Sequence, residues 1–425
     1  MAIKEKFLVT LFVLGLSISS SAQQHVNALF IGNSYTSVNN LPQMVAQIAG
    51  SLSDTLTYQS NTPGACTFMQ HCQNQSMTLV RQGGWDAVIL QEQSQYPSFP
   101  DSQVAQEVMP YARQLVDSVY AASPCAEPMF YMTWGRKNGD ASNAVYFPPL
   151  GTYAGMDSLL ALRYRQMADE NDASLCPVGR VWHWLRDHNP EIELYQSDES
   201  HPSPAGTYAA ACSFYTLLFR RDPAAITYNA SLDASVAATI RQAVRQVVYD
   251  SLPYWQRPRP ELSVSRTDSE NQMEEYFQVW ATHADSLRVD WGDGTDTLFT
   301  PEHPNTLRHT YAASGSYPVT LVASRHCMET AQEWFFHTTG TADIVAPEEY
   351  GRMFVATPNP ARDRVELQFG EIPQQLELFD MQGHLLECHR PQRQHFTLYV
   401  GHLPAGTYLI RVAGATPSSS RLVVR

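Results

Sequence analysis

The residues that could do chemistry together lie far apart in this chain. Phe30-Ile31-Gly32-Asn33-Ser34-Tyr35 sets a serine at a strand-to-loop junction, and Gly32 permits a tight turn there. The hydroxyl of Ser34 would then be exposed at the carboxyl edge of a sheet, with backbone N–H groups beside it to face an oxyanion. Ser197-Asp198-Glu199-Ser200-His201-Pro202 offers the complementary groups. An unprotonated histidine can take the serine's proton, and a carboxylate can fix the tautomer of that histidine. Pro202 biases His201 toward extended backbone and stiffens the presentation of its ring. Singly, each piece has a plainer reading. A serine after a strand also caps helices, and Asp-x-x-His also makes a capped surface turn.

Two further stretches could bind an oxyanion. Gly64, in Asn61-Thr62-Pro63-Gly64-Ala65, has no Cβ to keep a ligand from its N–H, although Pro-Gly is also an ordinary turn. Gln93, in Gln91-Glu92-Gln93-Ser94, could donate its side-chain amide. Asn33, Glu92 and Trp134 are candidates for the substrate pocket. Trp134 could stack on a sugar face or pack in the core. Glu92 could bind substrate or sit solvated at the sheet edge. Tyr35 and His71 could line a pocket or serve the structure.

These residues need a scaffold that gathers loops at one edge. Apolar runs at 26–31, 55–60, 85–91 and 129–134 read as strands, with 177–181 a short fifth. Helical stretches lie between them, at 41–51, 104–122 and 156–171, with a closing helix at 205–220 and a further one at 234–249. Such alternation predicts a parallel sheet covered on both faces, which binds ligands outside the carboxyl ends of its strands.

In this order and placement the residues resemble the SGNH, or GDSL-like, hydrolase family over about residues 26–220. Gly32-Asn33-Ser34 resembles its first block, Gly64 its second, Gln91-Glu92-Gln93 its third and Asp198-x-x-His201 its last. The resemblance implies a flavodoxin-like three-layer α/β/α fold. It implies ester hydrolysis by Ser34, His201 and Asp198, with an oxyanion hole built from the Ser34 N–H, the Gly64 N–H and Gln93. No metal or organic cofactor is implied. Asn33 replaces the family's aspartate, and Gln93 replaces its asparagine and is one methylene longer.

Beyond Pro253, Pro258 and Pro260 the pattern changes to short alternating strands. Val289-Asp290-Trp291-Gly292-Asp293-Gly294-Thr295, with Tyr311 and Gly315-Ser316-Tyr317-Pro318-Val319, resembles a PKD-type β-sandwich over 261–340. Thr357-Pro358-Asn359-Pro360, Leu376 to Gly383 and Leu403-Pro404-Ala405-Gly406-Thr407-Tyr408 resemble the C-terminal sorting domain of type IX secretion cargo over 352–425. That resemblance implies a Bacteroidota-like cell, the type IX machinery as a partner, and release or attachment at the cell surface. The fold expected is thus an α/β domain at 23–254 followed by two small all-β sandwiches.

Composition agrees with export of a globular chain. The 425 residues carry a formal net charge of −14, which argues against nucleic-acid binding. Lys4, Lys6, the apolar run 7–16 and Ser20-Ser21-Ala22 read as a signal peptide over 1–22. No later run is long and apolar enough to span a bilayer, so no transmembrane segment is expected in the mature chain. Seven cysteines leave at least one unpaired. Cys125 could pair with Cys176 across adjacent strands, Cys66 with Cys72 around a short loop, or several could remain buried thiols. No Cys/His cluster has zinc spacing. The expected function is a secreted esterase acting on carboxylic esters, such as acetyl groups on a carbohydrate. The competing expectation is a surface carbohydrate-binding or adhesion protein with an inactive α/β domain.

Overall fold

A computed structural model describes residues 22–267, 273–301, 305–338, 354–369, 372–380, 385–413 and 418–425. The expected signal peptide (save Ala22), residues 341–350, whose sequence reads as a linker, and residues 381–383, whose Met-Gln-Gly reads as a turn, lie outside the described residues. No described helix is long and apolar enough to cross a membrane. The chain divides into two compact units, 1–339 and 340–425.

In the first unit, β1 (His25–Ile31), β2 (Thr55–Asn61), β3 (Ala87–Leu90), β4 (Glu127–Tyr131) and β5 (Ser174–Cys176) form a parallel sheet in the order β2-β1-β3-β4-β5. The flavodoxin-like three-layer fold follows from which residues alternate along β1. Ala28 and Phe30 face one core, and Leu29 and Ile31 face the other. Twelve α-helices accompany this sheet among the described residues. They are α1 (Ser34–Ser37), α2 (Leu41–Ser51), α3 (Phe68–His71), α4 (Gln75–Gln82), α5 (Asp101–Glu107), α6 (Met109–Ala122), α7 (Ala141–Ala144), α8 (Tyr153–Glu170), α9 (Val178–His188), α10 (Pro204–Phe219), α11 (Ala234–Val244) and α12 (Leu252–Trp255). The first core takes apolar residues from α2, α9, α10 and α11, and the second from α4, α5, α6 and α8. The chain's direction across the sheet reverses between β1 and β3, so the loops after these two strands open a crevice between them.

Two elements differ from expectation. The helix expected at 104–122 is interrupted at Val108, because Pro110 has no N–H to continue the ladder and instead opens α6. The fifth strand is Ser174–Cys176, not 177–181. Val178, Val181, Trp182 and Leu185 are buried with helical spacing and belong to α9.

That shift corrects the cysteine pairing. Cys176 ends β5, whereas Cys125 precedes β4, so the two lie at opposite ends of neighbouring parallel strands. Cys125 instead bonds Cys327, 202 residues on. Cys66 and Cys72 are both free thiols.

Cys327 belongs to the first β-sandwich: β6 (Glu261–Thr267), β7 (Glu274–Thr282), β8 (Ser286–Asp290), β9 (Asp296–Phe299), β10 (Asn305–Thr310), β11 (Gly315–Arg325) and β12 (Met328–Thr338). Its sheets run β10-β7-β6 and β12-β11-β8-β9 around Val279, Val289, Trp291 and Leu321. Beside the disulfide, Arg325 pairs with Asp172 at 2.5 Å, and the His326 ring stacks on Tyr120 at 3.6 Å. Cys125 and Asp172 each lie just before a parallel strand, so the sandwich is fastened at the amino edge of the α/β sheet.

The second unit holds β13 (Phe354–Thr357), β14 (Arg364–Phe369), β15 (Gln375–Phe379), β16 (Leu385–His389), β17 (His395–Tyr399), β18 (Gly406–Ala413) and β19 (Ser418–Val424). Its sheets, β13-β14-β17 and β16-β15-β18-β19, enclose Val365, Leu378, Leu398 and Ile410.

Candidate active site

The turn after β1 is built from close backbone approach. A Cβ on Gly32 would lie 2.5 Å from Thr36 Oγ1 and 2.7 Å from Gln91 Oε1, so only glycine fits without displacement. Gln91, at the end of β3, accepts hydrogen bonds from the Asn33 N–H and the Thr36 hydroxyl, both at 2.9 Å. Asn33 caps α1 by accepting from the Tyr35 N–H, and its amide donates to the Cys66 carbonyl at 3.2 Å. His71 braces the turn from α3. Its Nε2–H donates to the Gly32 carbonyl at 3.0 Å, and the Ser76 hydroxyl donates to Nδ1 at 2.7 Å. Burial lowers the His71 pKa to about 4, which keeps the ring neutral. Ser34 then opens α1 at the carboxyl edge of the sheet.

The second half comes from the loop before α10. A bridge between Tyr195 and Pro202 closes it, and Glu199 makes the tight bend with φ of 60°. One Asp198 oxygen accepts the N–H groups of Ser200 and His201 at 3.1 and 3.0 Å. The other meets His201 Nδ1 at 2.5 Å. Partial burial raises the Asp198 pKa, but the His201 ring and the two N–H groups outweigh it and hold the carboxyl below its ordinary value. An ionised Asp198 only accepts, so Nδ1 carries the proton and Nε2 keeps its lone pair. Nε2 lies 2.8 Å from Ser34 Oγ. The three expected catalytic residues thus form one hydrogen-bonded line.

The expected pocket residues are placed differently. Trp134 is fully buried, stacked on Tyr35 at 4.8 Å and on Trp182 at 3.8 Å, so it presents no face to a sugar. Its Nε1–H donates to the Ser200 carbonyl at 3.1 Å and holds the histidine loop. Asn33 is buried by the capping just described. Glu92 is neither solvated nor pocket-lining: it is fully buried, accepts from the Phe68 and Gln93 N–H groups, and burial pushes its pKa up to about 8. Tyr35 and His71 are likewise buried structural groups.

The expected oxyanion donors differ in how free they are. Among the described residues the Ser34 and Gly64 N–H groups have no protein acceptor. Gly64 is exposed, with open space where a Cβ would stand. The Gln93 side chain folds onto its own loop, donating to Gln95 Oε1 at 3.2 Å and accepting the Gln95 N–H at 3.0 Å. One amide hydrogen remains to Gln93. Gln95 Oε1 also accepts from Arg136 Nη2 at 2.6 Å. Sequence reasoning places Gln91 only within the third block and gives no role to Gln95 or Arg136. The polar run that follows the all-apolar β3 is the signal that reaches Gln95.

The hydrogen-bonded line of Ser34, His201 and Asp198 thus stands at the carboxyl edge of the parallel sheet. Residues 356–425 match the family model described as the secretion system C-terminal sorting domain, so the second unit is such a sorting domain. The chain is similar to the solved structure of a DUF4886 family protein from Bacteroides uniformis, with 16% identity, a TM-score of 0.47, and coverage of 54% of this chain and 95% of that one. It is also similar to a protein from Slackia heliotrinireducens described as a candidate SGNH hydrolase, with 27% identity, a TM-score of 0.37, and coverage of 45% and 97%. A third similar structure is the PKD domain of the human receptor SorCS2, with 22% identity, a TM-score of 0.18, and coverage of 20% and 78%. No curated protein matches the sequence.

Proposed function

We propose that the protein is an exported serine esterase that removes short acyl groups, such as acetyl, from carbohydrates. The observation that carries this reading is the line from Asp198 through His201 to Ser34, with 2.5 and 2.8 Å between its members. His201 Nε2 takes the proton of Ser34 as Oγ attacks the ester carbonyl. The N–H groups of Ser34 and Gly64, with the free amide hydrogen of Gln93, receive the oxyanion. His201 then gives the proton to the departing alcohol oxygen, leaving an acyl-Ser34. A water deprotonated by the same ring attacks that acyl group, and the acid leaves as Ser34 regains its proton. No step calls for a metal or an organic cofactor.

The carbohydrate half of the proposal rests on modular context: a PKD-like sandwich and a sorting domain fit a chain working outside the cell on glycans. The type IX machinery is the proposed export partner, and the outer surface or the medium the destination.

The test is hydrolysis of a short-chain aryl ester by protein lacking residues 1–22. Turnover that disappears in Ser34→Ala and His201→Ala supports the reading. No turnover by the unmutated protein, or equal turnover by both variants, overturns it. Acetate release from acetylated polysaccharides then tests the substrate class.

A further inference from the structure

Glu92 is a buried acid that the proposed mechanism does not use. It directly follows Gln91, which holds the nucleophile turn, and directly precedes Gln93. Both of its oxygens face the Phe68 N–H, at 3.0 and 3.1 Å, and one also accepts the Gln93 N–H at 2.5 Å. Phe68 is the first residue of α3. That short helix carries His71, which holds the Gly32 carbonyl, and it follows Cys66, whose carbonyl accepts from Asn33. One carboxyl therefore ties together the loop of Gly64, the loop of Gln93 and the turn of Ser34.

We propose that Glu92 is a positioning residue for the esterase reaction, whose ionised carboxylate clamps α3 to the loop after β3 and so sets the spacing of the oxyanion donors. The inference rests on the esterase reading above.

The chemistry of the clamp depends on its proton. Oε1 accepts both N–H groups, with charge assistance while Glu92 is a carboxylate and only as a neutral carbonyl oxygen once Oε2 is protonated. The clamp is tightest when Glu92 is ionised. Burial places that ionisation at about pH 8, and the two N–H groups restrain it from rising further. The ionisable groups that face Glu92 are Cys66 and Cys72 on either side of α3, and Tyr164 on α8. Burial raises all three above their ordinary values, and none of them supplies a cation. His71, on α3, is neutral at any pH well above 4. These neighbours keep one charge state near pH 8 while Glu92 changes its own.

The experiment is the pH profile of kcat and KM for the unmutated chain and for Glu92→Gln, from pH 6 to 9.5 on an aryl ester. Glutamine keeps the shape and one acceptor, so it copies the protonated acid. The two profiles should coincide near pH 6. Above pH 8 the unmutated enzyme should gain roughly tenfold in kcat over the variant with KM little changed, as expected when the donors move into register. Superimposable profiles overturn the inference. Should Glu92→Gln not fold, labelling of Ser34 in the unmutated protein by an aryl phosphonate decides. In that step Oγ bonds phosphorus, the aryloxide leaves and His201 takes the hydroxyl proton. Two ionisations in the labelling rate, one near pH 8, support the proposal, and a single ionisation refutes it. Absence of both turnover and labelling would instead count against the esterase reading itself.

Discussion

The ring of Tyr35 stands edge-on to the imidazole of His201, with centroids 5.4 Å apart and planes at 71°, while its hydroxyl bonds Ser200 Oγ at 2.6 Å. The residue after Ser34 thus holds both the ring of His201 and the loop that carries it. Tyr35→Phe keeps the ring and removes the hydroxyl bond. Thermal unfolding should show a loss of about 1 kcal/mol. In the proposed reaction kcat should fall several-fold while KM stays near its starting value, since the loop that aims His201 loosens.

Asp198→Asn should leave the fold intact and nearly abolish turnover. The asparagine amide can donate to His201 Nδ1, which forces the ring's proton onto Nε2, where the lone pair is needed. A fall in kcat of about four orders of magnitude is expected, as in other Ser-His-Asp sites. Steady-state kinetics with circular dichroism as a folding control would check it, and a loss below tenfold would contradict the assigned role.

His71 makes stability depend on pH. Its folded pKa of about 4 lies below the ordinary 6.5, so between those values the unfolded chain binds the proton and the folded chain does not. Stability therefore falls as pH drops from 6.5 toward 4, by about 3 kcal/mol for a shift of this size, and levels off below that. In denaturant titrations His71→Gln should lack this loss. If the variant and the unmutated protein lose stability in parallel across that window, His71 is not its source.

The bond between Cys125 and Cys327 fastens the first sandwich to the amino edge of the sheet, whereas Ser34 lies at the carboxyl edge. Cys125→Ser with Cys327→Ser should lower stability by about 2 to 5 kcal/mol, the range for losing a cross-link over a long loop. Turnover of a small aryl ester at 25 °C should change less than twofold. Calorimetry and initial rates separate the two effects, and a large rate loss in a folded variant would show that the latch reaches the site.

Much of this arrangement was legible in the sequence where spacing and periodicity speak directly. The alternation of apolar runs predicted the parallel α/β sheet, and the boundaries of α2 were readable from Leu41 to Ser51. Ser34 and His201 stood out because each has a neighbour, Gly32 or Pro202, that makes a tight or stiff turn, and Asp198 because it lies three residues before His201. Trp134 was not legible, because a tryptophan after a strand can point to solvent or into a stack, and only the position of Trp182 decides. Trp182 is no more legible, since it falls just past the apolar run 177–181 and a short apolar run does not separate strand from helix. The same boundary misplaced Cys176 and with it the disulfide. Glu92 resembled an edge carboxylate because nothing local shows that α3 folds over it.

Tyr35, Trp134 and Trp182 form a ladder of nearly parallel rings, tilted by only 2° and 7° from one another, that begins one residue from Ser34. The two indoles stand 3.8 Å apart, close enough for their absorption transitions to couple. The ladder should therefore act as an optical gauge beside the proposed nucleophile. Near-ultraviolet circular dichroism and fluorescence quenching from this one ladder should register the moment an acyl group settles on Ser34, with no label added.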